Sequence, residues 1–365
     1  LQPGVDEVEV TLLGRGFGES VVLHLGDGRW VVIDSLLNEA GRAAPLEYLE
    51  AIGVDVERSL ELVLITHWHA DHIGGVSQLL ERSPTAKLAL PASFDIDKFS
   101  EFMSATLKAK NLTAQQLGEL AKVGALFADR RRPPPMYTSG VKPLVALPGR
   151  AASHGQDVAL TALSPSDRDQ QYFYQRLTGL RAGKGAARPM AFKENDNSVA
   201  TWLALGADAV LLGADLETVR AADRGWLAVL NSTLRPDGVA SVYKVAHHGS
   251  RTGHHDRIWS ELLVTDPLVI VAPWSPSDAL PKAEDKKRIL RLAPRSYITA
   301  PVATRKYQAQ AGEDKTLASL GIKVSGTNRL VGAVRLRKPI NSPASAWHIE
   351  LINGATHLNQ FVARS

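Results

Sequence analysis

Along most of its 365 residues the chain sets short apolar runs between breaks rich in Gly, Pro and Asp, and these runs have the length of strands. Val8 to Leu13, Val21 to Leu25 and Trp30 to Asp34 read as three strands, parted by Gly14-Arg15-Gly16-Phe17-Gly18 and by the Asp27-Gly28 turn, a hairpin signal. The pattern then predicts a helix from about Pro45 to Ile52, a strand over Leu62 to Ile65 and a helix from about His72 to Glu81. From Asp95 to Asp129 the period turns helical. Thr113 is the expected N-cap for Ala114 to Phe127, and Arg130-Arg131-Arg132-Pro133-Pro134-Pro135 ends the stretch. A helical insertion or lid is therefore expected over about 95–132.

Strands resume at Val158 to Leu163, Ser198 to Leu205, Ala209 to Leu212, Ser241 to Ala246 and Leu268 to Ala272. Between the first two lies a basic, Gly-containing stretch, about 166–195, with Arg181, Lys184 and Arg188 near its middle. It is expected to be a long functional loop that meets substrate. The chain has no repeat of fixed period and no linker-like segment, so a single domain over 1–365 is the expectation.

Composition narrows the class without naming it. A hydrophobic share of 44% and a charged share of 22% are those of a globular protein, and no apolar run approaches the roughly 20 residues of a membrane span. With no signal segment visible at Leu1-Gln2-Pro3-Gly4, the cytoplasm is the expected compartment. The chain contains no cysteine, which excludes a disulfide scaffold and thiolate ligands, so any metal must sit on nitrogen and oxygen. From Pro281 to Lys338 Lys and Arg far outnumber Asp and Glu. Such a patch favours an anionic partner, with nucleic acid or a nucleotide as the candidate, although a solvated face would carry the same residues. Oligomeric state is not legible.

The chemistry is concentrated in Thr66-His67-Trp68-His69-Ala70-Asp71-His72, which follows directly on the apolar run Leu62 to Ile65. Residues two apart on an extended chain share a face, so His67, His69 and Asp71 can converge while His72 enters from the next turn. Neutral imidazole and carboxylate are ligands for Zn²⁺ and its first-row neighbours, and the set suits a pair of ions. A row of surface histidines is the plain alternative. Two further post-strand segments supply donors: Asp215 after Leu211-Leu212-Gly213-Ala214, and His247 or His248 after Val245-Ala246.

These residues carry a resemblance. His67-x-His69-x-Asp71-His72 is similar to the signature of the metallo-β-lactamase superfamily. Asn195-Asp196-Asn197-Ser198, Leu211 to Glu217, Lys244 to Ser250 and the closing Thr327 to Val334 resemble the hydrolase-like domain of the DNA-uptake competence protein ComEC. The likeness runs over about Val8 to Leu336. It implies an α/β fold, the αββα sandwich of two mixed β-sheets flanked by helices, with the helical stretch as an addition. It also implies two divalent metal ions, Zn²⁺ foremost with Mn²⁺ or Fe as alternatives. His67 and His69 would hold the first ion and Asp71 and His72 the second, Asp215 would bridge them, and His247 or His248 would complete the second site. Asp34 matches a supporting aspartate that orients an imidazole. Ser35 and Ser164 depart from the pattern, the latter in Leu163-Ser164-Pro165, where a first-metal histidine is expected. His154 is the one histidine between His72 and Asp215 and is the substitute candidate. His254 and His255 are candidate substrate contacts.

The implied function is a metal-dependent hydrolase with a metal-activated hydroxide as nucleophile, Asp71 and Asp215 acting as catalytic carboxylates that orient it. Phosphoester or phosphodiester substrates are the first expectation. The alternatives are another ester class (lactone, thioester or β-lactam) and a nucleic-acid or protein binding module whose metal site is not catalytic.

Overall fold

In the computed structural model, residues 1–94, 114–128, 132–181, 194–276, 279–301, 331–342 and 345–361 are described. The first sheet is built from β1 (Glu7–Gly14), β2 (Glu19–His24), β3 (Trp30–Ile33), β4 (Leu60–Leu64), β5 (Lys87–Pro91) and β6 (Met136–Thr138). The second takes β7 (Lys142–Leu147), β8 (Val158–Ala162), β9 (Thr201–Leu205), β10 (Asp208–Leu212), β11 (Ala240–Lys244), β12 (Leu263–Val271) and β13 (Ser296–Ile298). The chain then returns to the first sheet as β14 (Ala333–Pro339) and β15 (His348–Ile352), and β16 (Thr356–His357) closes the second. The orders are β15-β14-β1-β2-β3-β4-β5-β6 and β16-β13-β12-β11-β10-β9-β8-β7.

Side-chain alternation sorts these strands into layers. Val21, Leu23, Val31, Ile33, Leu62 and Leu64 face the second sheet and meet Leu160, Leu203, Val210, Val242 and Ile270 in a dry inter-sheet core. Their neighbours Val22, Trp30, Val32 and Val63 face outward onto the helices Ala44–Ala51, Val76–Arg82 and Ala114–Ala128. On the far side Trp202, Leu211, Tyr243 and Val269 pack on the helices Gly225–Asn231 and Ala283–Leu292. Two mixed sheets lie between helical layers, which is the metallo-β-lactamase fold of the α/β class.

Each sheet changes from antiparallel to parallel pairing. β3 runs parallel to β4 and β4 to β5, while β10 runs parallel to β11 and β11 to β12. Parallel neighbours end on the same rim, and in open α/β sheets that carboxyl rim is where ligands are met. Asp34 follows β3, the 67–72 segment follows β4, Asp215 follows β10 and His248 follows β11. The topology therefore brings four separate segments to one edge.

Several expectations change. The helix anticipated over His72 to Glu81 is two helices, Ala70–Ile73 and Val76–Arg82, parted at Gly74-Gly75. Gly75 has φ +82°, and a Cβ there would lie 2.8 Å from the Ala43 side chain, so only glycine turns the chain here. The stretch anticipated as a loop from Arg168 begins as the helix Asp167–Arg181. Its start is fixed by a reciprocal cap: the Ser166 amide donates to Asp169 and the Asp169 amide donates to the Ser166 hydroxyl. Ala114–Ala128 is helical as the pattern predicts and packs through Leu120 and Val123, with Glu119 accepting from the Ser77 amide at 2.7 Å. Thr113 and the remainder of the 95–132 stretch up to Arg131 lie outside the described residues, apart from that helix.

The basic segment from Pro281 to Lys338 is also reinterpreted where it is described. Arg335 pairs with Glu350 at 2.6 Å, Arg337 with Glu9 at 2.7 Å, Lys338 with Asp208 at 2.6 Å and Arg288 with Asp285, so these four cations are engaged within the fold. No helix among the described residues is long and apolar enough to cross a membrane.

Candidate metal centre

Asp34 stands at the centre of the supporting structure. It is buried with φ +59°, a left-handed turn that aspartate tolerates better than most residues and that swings its carboxylate under the next loop. There it accepts from the Thr66 amide and the Thr66 hydroxyl, both at 2.7 Å, and from His72 Nδ1 at 2.7 Å. Thr66 Oγ1 has given its proton to Asp34 and so accepts from His67 Nδ1 at 3.0 Å. His248 Nδ1 donates to the Ala272 carbonyl at 3.1 Å. The three rings are thereby anchored through Nδ1, with each Nε2 directed away from its support.

Those Nε2 atoms converge. Asp215 Oδ2 lies 3.9 Å from His67 Nε2, 3.6 Å from His72 Nε2 and 3.5 Å from His248 Nε2. Asp71 Oδ2 is 3.4 Å from His72 Nε2 and 3.4 Å from His248 Nε2. His69 Nδ1 is 3.0 Å from His67 Nε2. Two donors that each sit about 2.1 Å from a tetrahedral ion stand about 3.4 Å apart, so these separations are those of shared ligands. Two donor groups stand out, His67 with His69 and Asp215, and Asp71 with His72 and His248. Asp215 reaches both.

Backbone strain is collected at the same rim. Ala214, His247 and His248 all have positive φ, at 43°, 48° and 51°. Such conformations in residues with a Cβ cost about 1–3 kcal/mol each and persist only where the surroundings impose them. Here the His247 amide donates to the Ala214 carbonyl at 2.9 Å, tying the two ligand loops together. The paired turns also settle which histidine enters: His248 points into the cluster, whereas His247 bonds Thr252 Oγ1 at 2.8 Å and Glu217 at 3.0 Å.

Charge in the cluster is high for so buried a place. Burial opposes ionisation of Asp71, but the charges of His72 and His248 beside it outweigh it and hold the carboxyl well below its ordinary range. Asp215 behaves likewise, with His248 and then His72 overcoming burial. Burial also opposes charging of His72, yet Asp71, Asp215 and Asp34 drive it well above the imidazole range. His67 goes the other way, pushed well down by burial and then by His72 and His69. Protons on imidazole are thus standing in for positive charge that the acids require. Even so, His72 Nε2, Glu19 Oε2 and Asp215 Oδ1 are buried with no hydrogen-bond partner among the described residues. Orphaned donors of this kind around acidic oxygens fit a divalent cation.

Two participants were not anticipated. Glu19, at the start of β2, lies 3.4 Å from His248 Nδ1 and groups with Asp215 and His248. Lys244, the last residue of β11, is buried and bonds both Glu19 and the Ala214 carbonyl. A charged residue at a strand end usually meets solvent, which is why neither stood out. Trp274 stacks on His248 with centroids 5.7 Å apart, and Phe17 in turn packs on Trp274. Trp68 is buried beneath the loop against Phe94 and Phe173.

Other expected site residues are placed elsewhere. His154 precedes β8, whose carboxyl end faces the cluster, and so lies on the opposite rim, where its ring packs over Gly26 at the β2–β3 turn. It is not brought to the first metal group. Ser164 does sit at the rim, but its hydroxyl donates to the Ser198 carbonyl at 2.7 Å and accepts the Ala200 amide at 2.8 Å, which occupies it within the sheet. His254 is held at both ring nitrogens, by Trp259 Nε1 at 3.0 Å and Asp256 at 2.9 Å, which gives it a packing role in place of the expected substrate contact. His255 accepts the Arg257 amide at 3.2 Å. Lys184, Arg188 and the side chain of Arg181 lie outside the described residues.

Comparison with known proteins agrees with the histidine motif. The family profile of the metallo-β-lactamase superfamily matches residues 13–141. A hydroxyacylglutathione hydrolase of Xylella fastidiosa is 43% identical over 65 residues, 18% of this chain and 22% of that protein. The chain thus spans about a fifth of the length of that relative. The hydroxyacylglutathione hydrolase of Klebsiella pneumoniae is 27% identical over 205 residues, 47% of this chain and 77% of the relative. Among solved structures, the metallo-β-lactamase fold protein YhfI from Bacillus subtilis is 16% identical with a TM-score of 0.34, covering 65% of this chain and 70% of its own. The metallo-β-lactamase SMB-1 is 13% identical with a TM-score of 0.34, covering 71% and 85%. The family match covers about a third of this chain, and over that part, which holds the histidine signature, the chain is similar to the metallo-β-lactamase superfamily.

Proposed function

We propose that the chain is a metal-dependent hydrolase in which His67, His69, Asp71, His72, Asp215 and His248 hold two divalent ions. The observation that carries this reading is the meeting of four post-strand loops in one buried group of donors with unpartnered atoms. When bound, such ions supply Lewis acidity and lower the pKa of a water towards 7. The chain's own residues do the rest. Asp34 and Thr66 anchor His72 and His67 through Nδ1. Asp71 and Asp215 present carboxylate oxygens that would orient a nucleophilic water. Glu19 and Lys244 offset one another beside His248 and fix the second rim loop. Trp274 and Phe17 wall one side against bulk solvent.

The substrate class we assign is the phosphodiester, which includes nucleic acids and nucleotides. Support comes from the likeness of Asn195 to Ser198 and Lys244 to Ser250 to a DNA-handling branch, and the mixed nitrogen and oxygen donors suit Zn²⁺ and its first-row neighbours. A second reading, thioester hydrolysis, is favoured by the relatives named hydroxyacylglutathione hydrolase. The test is turnover by chelated protein reloaded with Mn²⁺ or Zn²⁺. An aryl phosphodiester should be cleaved and a hydroxyacylglutathione thioester left intact. The reverse preference overturns the phosphodiester assignment, and no turnover of any ester overturns the enzymatic reading.

A further inference from the structure

Most tryptophans of this chain serve its interior. Trp30, Trp68, Trp202 and Trp226 are buried, while Trp259 and Trp347 rest against the cores and donate their N–H groups to His254 and Ser241, each at 3.0 Å. Trp274 is placed differently. It is half-buried and stacks on the ring of His248 at an interplanar angle of 29°, and its other ring contact among the described residues is Phe17, also half-buried, with centroids 5.4 Å apart.

Both rings are set by backbone tied to the loops of the metal centre. Trp274 comes two residues after Ala272, whose carbonyl anchors His248 Nδ1, and its amide and carbonyl both bond Leu280, at 2.9 and 2.6 Å. The Ser275 amide donates to the Gly16 carbonyl at 2.7 Å, and Gly16 bridges Trp274, which joins this turn to the loop that carries Phe17. On the other side of Phe17, Gly18 lies so close to the 67–72 loop that a Cβ there would be 3.1 Å from the Asp71 carbonyl oxygen. The aromatic pair is therefore held against both ligand loops, with one of its rings laid on a donor ring.

Partly open aromatic rings held this firmly offer a preorganised surface, and every nucleic-acid base has a flat π-face to lay on it. We infer that Phe17 and Trp274 form the platform on which the base next to the scissile phosphate stacks. The inference rests on the phosphodiester reading and names, within that class, nucleotide substrates whose base is not held in a duplex. Stacking reads the face of a ring and not its hydrogen-bonding edge, so the platform accepts any base. A stacked base also takes up no donor position, which leaves open coordination at the ions to water and phosphate.

The experiment is calorimetric binding of two probes to the Zn²⁺-loaded full chain, adenosine 5′-monophosphate and ribose 5-phosphate, which share a sugar phosphate and differ in the base. Wild type is expected to bind the nucleotide at least about tenfold more tightly, as stacking of one base implies. Phe17→Leu and Trp274→Leu should each reduce that ratio severalfold by weakening the nucleotide alone, and Trp274→Phe, which keeps a flat ring, should retain most of it. Elemental analysis accompanies each variant, since Trp274 stacks on His248, and Phe17→Leu carries the test if Trp274→Leu loses metal. Equal affinity of wild type for the two probes, or a preference that survives both leucine variants, would overturn the platform and leave the phosphodiester reading to turnover of the aryl phosphodiester. Binding of neither probe would remove the platform too, and with it the phosphodiester reading if the thioester is the ester cleaved.

Discussion

The protein buries two clusters of charge, and they are finished differently. On the outer face of the first sheet, Glu9 is fully buried yet every oxygen is answered: Thr11 and Tyr48 donate to Oε1 at 2.8 and 2.6 Å, and Arg337 donates to Oε2 at 2.7 Å. Arg335 closes the network by donating to Tyr48 at 2.7 Å and pairing with Glu350. At the carboxyl rim, Glu19, Asp71 and Asp215 are equally buried, but the surrounding Nε2 and carboxylate atoms converge without being satisfied. The first cluster needs nothing further and is structural. The second is the group of unsatisfied donors in which we place the proposed ions.

Removing a donor from the rim should produce the largest effect. Asp215→Ala takes away the carboxylate that reaches both donor groups, and we expect esterase turnover to fall by more than the roughly 10–100-fold typical of supporting residues. Steady-state kinetics with metal in excess measure it, and kcat within twofold of wild type would dissolve the distinction between the clusters. His69→Ala should behave similarly. Next in size is Asp34→Asn, which keeps the shape but weakens acceptance from His72 Nδ1. Metal affinity should drop about 10–100-fold while thermal stability changes little.

The satisfied cluster should give the opposite profile. Arg337→Ala strands Glu9 with half its partners, and we expect about 3 kcal/mol of destabilisation by urea unfolding, because a buried carboxylate loses its guanidinium. Metal affinity should stay at the wild-type value, and a change there would mean that the two regions are not independent. The smallest effect concerns pH in chelated protein. His72 is raised above its ordinary value, so its contribution to stability is complete below about pH 6.5 and is lost as pH rises through the raised value. Asp71 and Asp215 are lowered, so theirs is present above about pH 4 and is lost only in stronger acid. Melting temperature of the metal-free protein should therefore decline on the alkaline side, and loading with metal should flatten that decline. Identical alkaline curves with and without metal would refute the exchange of proton for cation.

How much of this was legible in the sequence depended on how local the signal was. His67 to His72 are covalent neighbours behind an apolar strand, so their convergence needs only strand geometry. Asp34, Asp215 and His248 were within reach because each follows an apolar run, and parallel strands bring such residues to one rim. The choice between His247 and His248 was not legible, since it hangs on two successive left-handed residues. His154 was misplaced for a topological reason: β8 points its carboxyl end at the site, and a residue before the strand is carried to the far rim. Glu19 and Lys244 were missed because their pairing spans strands of different sheets. The helix from Asp167 was announced by Ser166-x-x-Asp169, a cap signal hidden within a basic, Gly-containing stretch. Within the basic segment, Arg337 and Lys338 are taken up by acids far away in sequence, Glu9 and Asp208, which no local pattern could reveal.

The central claim is that the rim cluster holds divalent ions, and the most direct measurement is anomalous diffraction from crystals soaked in Mn²⁺ or Zn²⁺, paired with elemental analysis. Two ions per chain are expected, one among His67, His69 and Asp215 and one among Asp71, His72 and His248, with the Glu9 cluster empty. Rim density without anomalous signal, in protein that elemental analysis finds free of metal after loading, would contradict it.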